Sequence, residues 1–128
     1  MRGVAVLGAT GSIGQSTLDV MQRHPERYRA IVVSANRSVD DMASICRTHK
    51  PAHAVMGEPE SASALSERLA DLPQVAVSAG SDALDELVAS PDIDTVVAGI
   101  VGFAGLRPTL SAAQAGKTIL LANNEALV

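Results

Sequence analysis

The sequence predicts a doubly wound α/β fold, a parallel sheet with helices packed on both faces. Short apolar runs alternate with longer segments of helical period throughout, the strand-helix-strand order that produces right-handed parallel crossovers. Apolar residues make up 47% of the 128 residues but aromatics only 2%, so the core is aliphatic, as in sheets buried on both sides. A glycine-studded turn, GATGSIG, sits where the first apolar run gives way to the first amphipathic stretch.

Residues 4–7 read as the first strand, and residues 12–23 as the first helix, stopped near His24-Pro25 because the residue before a proline is pushed out of the helical region. Residues 29–34 form a second strand. Ser38 opens the next helix, with Asp41 placed three residues on for a capping box. Residues 52–56 read as a short strand, 59–69 as a helix, 75–77 as a strand, 82–88 as a helix and 94–98 as strand-like. Residues 106–115 have helical spacing with Gly116 placed as the C-terminal cap, and residues 117–122 form the last strand. No linker, repeat or low-complexity tract interrupts the pattern, so a single domain is expected over residues 1–128. The closing NNEALV reads as a new helix cut off after one turn, so the chain is expected to be part of a longer polypeptide.

The 14 acidic and 10 basic residues give a net charge of −4, and without a basic run or stacking aromatics a nucleic-acid surface is not expected. No apolar stretch approaches the ~20 residues of a membrane span, and no basic-then-apolar leader is seen. A soluble cytoplasmic protein is the expectation. Cys46 is the only cysteine, which excludes an internal disulfide, and it reads as a small residue packed on a helix. His24, His49 and His53 lack ligand spacing and read as surface residues.

Gly8, Gly11 and Gly14 form G-x-x-G-x-x-G at a strand-to-helix junction. Glycine permits positive φ in the turn and lets the backbone approach a pyrophosphate, while the helix N-terminus supplies free N–H donors. Thr10 and Ser12 add hydroxyls. No Gly-Lys-Ser/Thr follows, which excludes a mononucleotide P-loop; a dinucleotide turn or a merely tight structural turn remain. The end of the second strand reads SANRSV, with no carboxylate for ribose hydroxyls. Arg37 there can pair with a 2′-phosphate and Ser38 can donate to it, which favours NADPH over NADH.

Two later loops belong to the same edge of such a sheet. AGIVGFAGLRPTL carries Gly99, Gly102 and Gly105 and could pack against a cofactor ring or simply make a tight connection. In AGKTILLANNEALV, Asn123, Asn124 and Glu125 fall just past a buried strand, where polar groups face a ligand or cap a helix.

Together GATGSIG, ANRSV, GIVGFAGLRPTL and AGKTILLANNEALV resemble, in order and spacing, the N-terminal NADPH-binding domain of the 1-deoxy-D-xylulose 5-phosphate reductoisomerase family. The resemblance covers the whole chain and implies a Rossmann-like sheet. It implies that Thr10, Gly11, Ser12 and Ile13 hold the pyrophosphate, that Arg37 and Ser38 hold the 2′-phosphate, and that Ala35 and Asn36 belong to the cofactor site. Ala98 and Ile100 would flank the cofactor, with Asn123 and Glu125 near the nicotinamide. The implied reaction rearranges a 1-deoxyketose 5-phosphate and reduces the aldehyde with NADPH to 2-C-methyl-D-erythritol 4-phosphate, in non-mevalonate isoprenoid biosynthesis. A Mg²⁺ or Mn²⁺ would polarise the substrate oxygens. Asn124 departs from the family pattern, which has a lysine directed at the substrate there. No catalytic residue or metal ligand is expected within these residues, and the full-length protein is expected to be a homodimer acting on a sugar phosphate. The isolated chain is expected to bind NADPH weakly without turnover. A non-catalytic NADP-sensing module and another sugar dehydrogenase of the same fold are the alternatives; the latter lacks its Glu-Lys-Pro continuation here.

Overall fold

The computed structural model of the chain describes residues 2–99 and 115–121. Its elements alternate as β1 (Arg2–Leu7), α1 (Ser12–Gln22), β2 (Tyr28–Ala35), α2 (Val39–His49), β3 (His53–Met56), α3 (Pro59–Arg68), β4 (Ala76–Ala79), α4 (Ser81–Val88), β5 (Thr95–Ala98) and β6 (Thr118–Leu121). The described strands form one parallel sheet in the order β4-β3-β2-β1-β5-β6. The expected helix over residues 106–115 falls largely outside the described residues, as do Phe103, Gly102 and Gly105. Gly116 has a φ of +78°, in the left-handed region that favours glycine.

Side-chain alternation along the strands divides the core into two layers. Val4, Val6, Val33, Ala54, Met56 and Val97 face Leu18 and Met21 of α1, Met42 and Cys46 of α2 and Leu65 of α3. Ala5, Leu7, Val32, Val55 and Val96 face the other way, onto Leu84 and Val88 of α4. Helices therefore cover both faces. In β2 the alternation breaks at a register shift, where Val4 pairs with Ala30 but Ala5 pairs with Val32. The extra residue, Ile31, joins Val32 on the α4 side, so the apolar run AIVV serves both layers.

Local signals act largely as expected. The chain leaves α1 at Arg23 ahead of Pro25. Lys50 ends α2 in the left-handed conformation, donating to the Cys46 carbonyl at 2.9 Å, and Pro51 follows. One expectation fails. Ser38 occupies the N-cap position of α2, but its side chain makes no cap hydrogen bond and the capping box with Asp41 does not form. Ser38 instead centres an inverse γ-turn, with φ −77° and ψ 74°, closed by Val39 N–H donating to the Arg37 carbonyl at 2.8 Å. Of the histidines expected at the surface, His24 is exposed, whereas His49 and His53 are half-buried.

Candidate functional site

The strand order reverses at β1. From β1 the chain winds outward through β2, β3 and β4, then returns to place β5 on the other side. Such a switch point opens a crevice at the carboxyl ends of the strands. A cleft of about 470 Å³ lies there, lined by the residues that follow successive strands. Gly8, Thr10 and Gly11 come from the loop after β1, Ala35 and Asn36 from the end of β2 and Gly57 from the loop after β3. Gly80 and Ser81 after β4 and Gly99 after β5 complete the rim, with Val55 and Leu84 at the apolar floor.

The three glycines of the first loop have different duties. Gly8 turns the chain at φ +77°, a conformation that side chains rarely adopt. Gly14 lets α1 lie against that turn, since a Cβ there would stand 2.2 Å from the Gly8 carbonyl oxygen and 2.7 Å from Ala9 Cα. Gly11 has neither reason to be glycine. Its φ is −74°, and a Cβ would meet nothing closer than the Gly8 oxygen at 3.5 Å. The bare backbone at Gly11 faces the cleft, where it leaves room for a group approaching from outside the fold.

Gly11 is also the N-cap residue of α1, and no side chain caps that end. The first turn carries no acidic residue, so the N–H groups and the positive end of the helix dipole are left uncompensated beside the cleft. Ser12 is exposed and Ile13 half-buried in this first turn, next to the cleft but not lining it. Thr10 contributes its carbonyl to Gln15 Nε2 at 2.7 Å, which fixes the loop to the helix.

Ser34 is a residue the sequence reading passed over. It is buried near the end of β2, where Gly8 N–H donates to its hydroxyl at 3.3 Å and Ala9 N–H donates to its carbonyl at 2.7 Å. A buried polar residue in an otherwise apolar strand needs such a partner, and that was the available signal. On the other side, Gly99 N–H donates to the Leu7 carbonyl at 2.8 Å, bringing the end of β5 against the glycine turn. Ala98 is buried in register with Leu7, so Gly99 rather than Ala98 faces the cleft.

Asn36 and Gly57 join the loops after β2 and β3. Gly57 N–H donates to the Asn36 carbonyl at 3.1 Å, and a Cβ at Gly57 would fall 2.1 Å from Asn36 Oδ1. Arg37 and Ser38 come next, exposed beyond the rim, and Arg37 Nη2 donates to Glu58 Oε1 at 3.0 Å. Ile100, Asn123, Asn124 and Glu125 lie outside the described residues.

The groups with shifted pKa values are elsewhere. Burial pushes the Cys46 thiol up to about 11 and draws the His49 imidazole down, while Arg47 holds the Asp71 carboxyl below its usual range. None of these residues lines the cleft. Among the described residues no three His, Cys, Asp or Glu side chains are grouped to hold a metal, and no helix is long and apolar enough to cross a membrane. The described cleft thus presents glycine backbone and an uncapped helix N-terminus, and Arg37 stands outside its rim, paired with Glu58.

Comparison with known proteins points the same way. The 1-deoxy-D-xylulose 5-phosphate reductoisomerase family profile matches residues 4–128. The reductoisomerases of Nitrosococcus oceani and Methylococcus capsulatus are 56% and 53% identical to the chain, over all of it and 33% of their own length. The chain therefore spans about a third of the curated relatives it matches. Among solved structures, the reductoisomerase from Zymomonas mobilis in complex with NADPH superposes with a TM-score of 0.88 at 46% identity, covering 98% of this chain and 33% of that one. A reductoisomerase complex with NADPH, fosmidomycin and magnesium gives 0.90 at 41% identity, covering 99% of this chain and 31% of that one.

Proposed function

The chain belongs to the 1-deoxy-D-xylulose 5-phosphate reductoisomerase family, and from that premise we propose that residues 1–128 form the NADPH-binding part of a longer reductoisomerase. The family replaces the sugar-dehydrogenase alternative. The carrying observation is Gly11, a glycine that the fold itself does not require, set at an uncapped helix N-terminus on the cleft. This fits a pyrophosphate.

Thr10, Gly11, Ser12 and Ile13 would hold the pyrophosphate through loop and helix N–H groups. Ala35 and Asn36 would border the adenosine ribose, and Arg37 and Ser38 the 2′-phosphate. The failed capping box supports this, because the Ser38 hydroxyl is not committed to its own helix. Ile100 is assigned beside the cofactor, as is Ala98 through the Gly99 backbone that follows it; Asn123 and Glu125 are assigned near the nicotinamide, and Asn124 toward the substrate. The bound nicotinamide would supply the hydride that reduces an aldehyde to an alcohol. This chain's own residues bind and orient.

On this reading the whole protein converts 1-deoxy-D-xylulose 5-phosphate to 2-C-methyl-D-erythritol 4-phosphate in isoprenoid biosynthesis. The divalent metal ligands and the contacts to the sugar phosphate would come from the rest of the polypeptide. The reading also takes the full-length protein to be a homodimer, which sedimentation of the purified protein tests, and to be cytoplasmic, which cell fractionation tests.

The direct test is calorimetric titration of the full-length protein and its Arg37→Ala variant with NADPH and NADH. The expected result is an NADPH preference that falls about tenfold to a hundredfold in the variant, the range of a charge-assisted hydrogen bond, with NADH little changed. Equal losses for both cofactors would remove Arg37 from the 2′-phosphate.

A further inference from the structure

The guanidinium assigned to the 2′-phosphate already has an anionic partner. Arg37 Nη2 donates to Glu58 Oε1 at 3.0 Å. Surface ion pairs of this kind usually tie two loops together and do little else. Two features set this one apart. Glu58 stands at the N-cap of α3 yet makes no cap hydrogen bond, so its carboxylate serves Arg37 rather than its own helix. The contact is also the second of two adjacent links. Gly57 N–H bonds to the Asn36 carbonyl at 3.1 Å, so the backbone rung at 36 and 57 fixes where 37 and 58 meet. Gly57 and Asn36 line the cleft. The carboxylate is therefore held at the cleft's rim by the fold.

The geometry points to Glu58 as a counter-charge that limits affinity for the 2′-phosphate and so sets how strongly the site prefers NADPH. This rests on the assignment of Arg37 to that phosphate. Arg37 is 72% exposed, which leaves the rest of its fork of donors open. An arriving phosphate must either displace Glu58 or share the guanidinium with it. Displacement forfeits the existing pair, and sharing places a carboxylate beside a phosphate carrying nearly two negative charges. Either way Glu58 opposes the phosphate and does not touch a cofactor that lacks it. An enzyme that must exchange its cofactor every turnover gains faster release from such a restraint.

Four full-length proteins test this by calorimetric titration with NADPH and NADH at low and high salt: wild type, Glu58→Gln, Glu58→Ser and Arg37→Ala. Glutamine keeps an acceptor for Arg37 without the charge, and serine supplies a cap hydroxyl that safeguards α3. Both Glu58 variants are expected to bind NADPH about two- to fivefold more tightly at low salt, with NADH unchanged and the gain shrinking as salt rises. Unchanged or weaker NADPH binding in both, while Arg37→Ala abolishes the NADPH preference, would overturn the counter-charge and leave the Arg37 assignment standing. An NADPH preference that survives Arg37→Ala would remove that assignment, and the role of Glu58 with it.

Discussion

Gly14 presses its backbone against the carbonyl of Gly8: a Cβ on Gly14 would lie 2.2 Å from that oxygen. Gly11, midway between them, has no such contact. One motif therefore contains glycines of two kinds, those the fold requires and one that it does not. Gly14→Ala should cost about 2–4 kcal/mol, because the backbone atoms of Gly8 and Ala9 cannot yield as a side chain would. Gly11→Ala should change stability by no more than about 1 kcal/mol while weakening NADPH by at least about tenfold. Urea unfolding and cofactor titration on the same two variants separate the effects. A Gly11→Ala protein that binds NADPH normally would show that the loop is only a turn.

At Gly57 the neighbour is a side chain that can move. A Cβ there would fall 2.1 Å from Asn36 Oδ1, at the end of a side chain that can adopt another rotamer. Gly57→Ala should therefore leave the free energy of unfolding within about 1 kcal/mol of wild type. It should still disturb the rim of the cleft, and NADPH should bind more weakly. A double variant with Asn36→Ala should recover normal stability, since the clash is then gone. If Gly57→Ala unfolds the protein even beside Asn36→Ala, the backbone rather than the side chain sets the limit.

The strands and helices were legible where local pattern and tertiary contacts agree. The apolar run before GATGSIG and the helix after it follow from periodicity and turn chemistry alone. The fourth strand was displaced, expected at 75–77 and found at Ala76–Ala79, because its limits come from pairing with β3, not from its own hydropathy. Of the residues singled out in the glycine loop and in the segment from Ala35 to Ser38, the structure brings Thr10, Gly11, Ala35 and Asn36 to one cleft and leaves Arg37 and Ser38 beyond its rim. Its far wall, Gly57, Gly80 and Ser81, went unread because single glycines after strands look like ordinary turns. The Arg37–Glu58 pair could not be read at all, since the two residues meet only when the loops after β2 and β3 fold side by side.

His49 should make the protein acid-sensitive. It is half-buried at the end of α2, and loss of solvent lowers its pKa from the ordinary 6.5, partly offset by the charge of Asp19. The folded state then takes up this proton less readily than the unfolded chain. Stability from this residue is full above pH 6.5 and is lost as pH falls through the lowered folded value. Urea midpoints at pH 7.5 and pH 5 should differ more for wild type than for His49→Gln. Equal differences would mean that the imidazole is hydrated in the folded protein.

Cys46 should behave in the opposite sense at alkaline pH. Its side chain is buried in the layer beneath α2, and burial pushes its pKa from 9.0 up to about 11. The unfolded chain loses the thiol proton first. Stability is thus intact below pH 9 and declines as pH rises through the folded value near 11, by at most about 1.4 kcal/mol per pH unit. Tyrosine and lysine titrate in the same range, so the quantity to measure is the difference in slope between wild type and Cys46→Ala. The same burial denies reagents a thiolate, since the ionised form is the nucleophile. Alkylation of the native protein at pH 8 should therefore proceed no faster than unfolding exposes the residue, and it should accelerate with urea. Prompt labelling in buffer alone would place the thiol in solvent and remove both expectations.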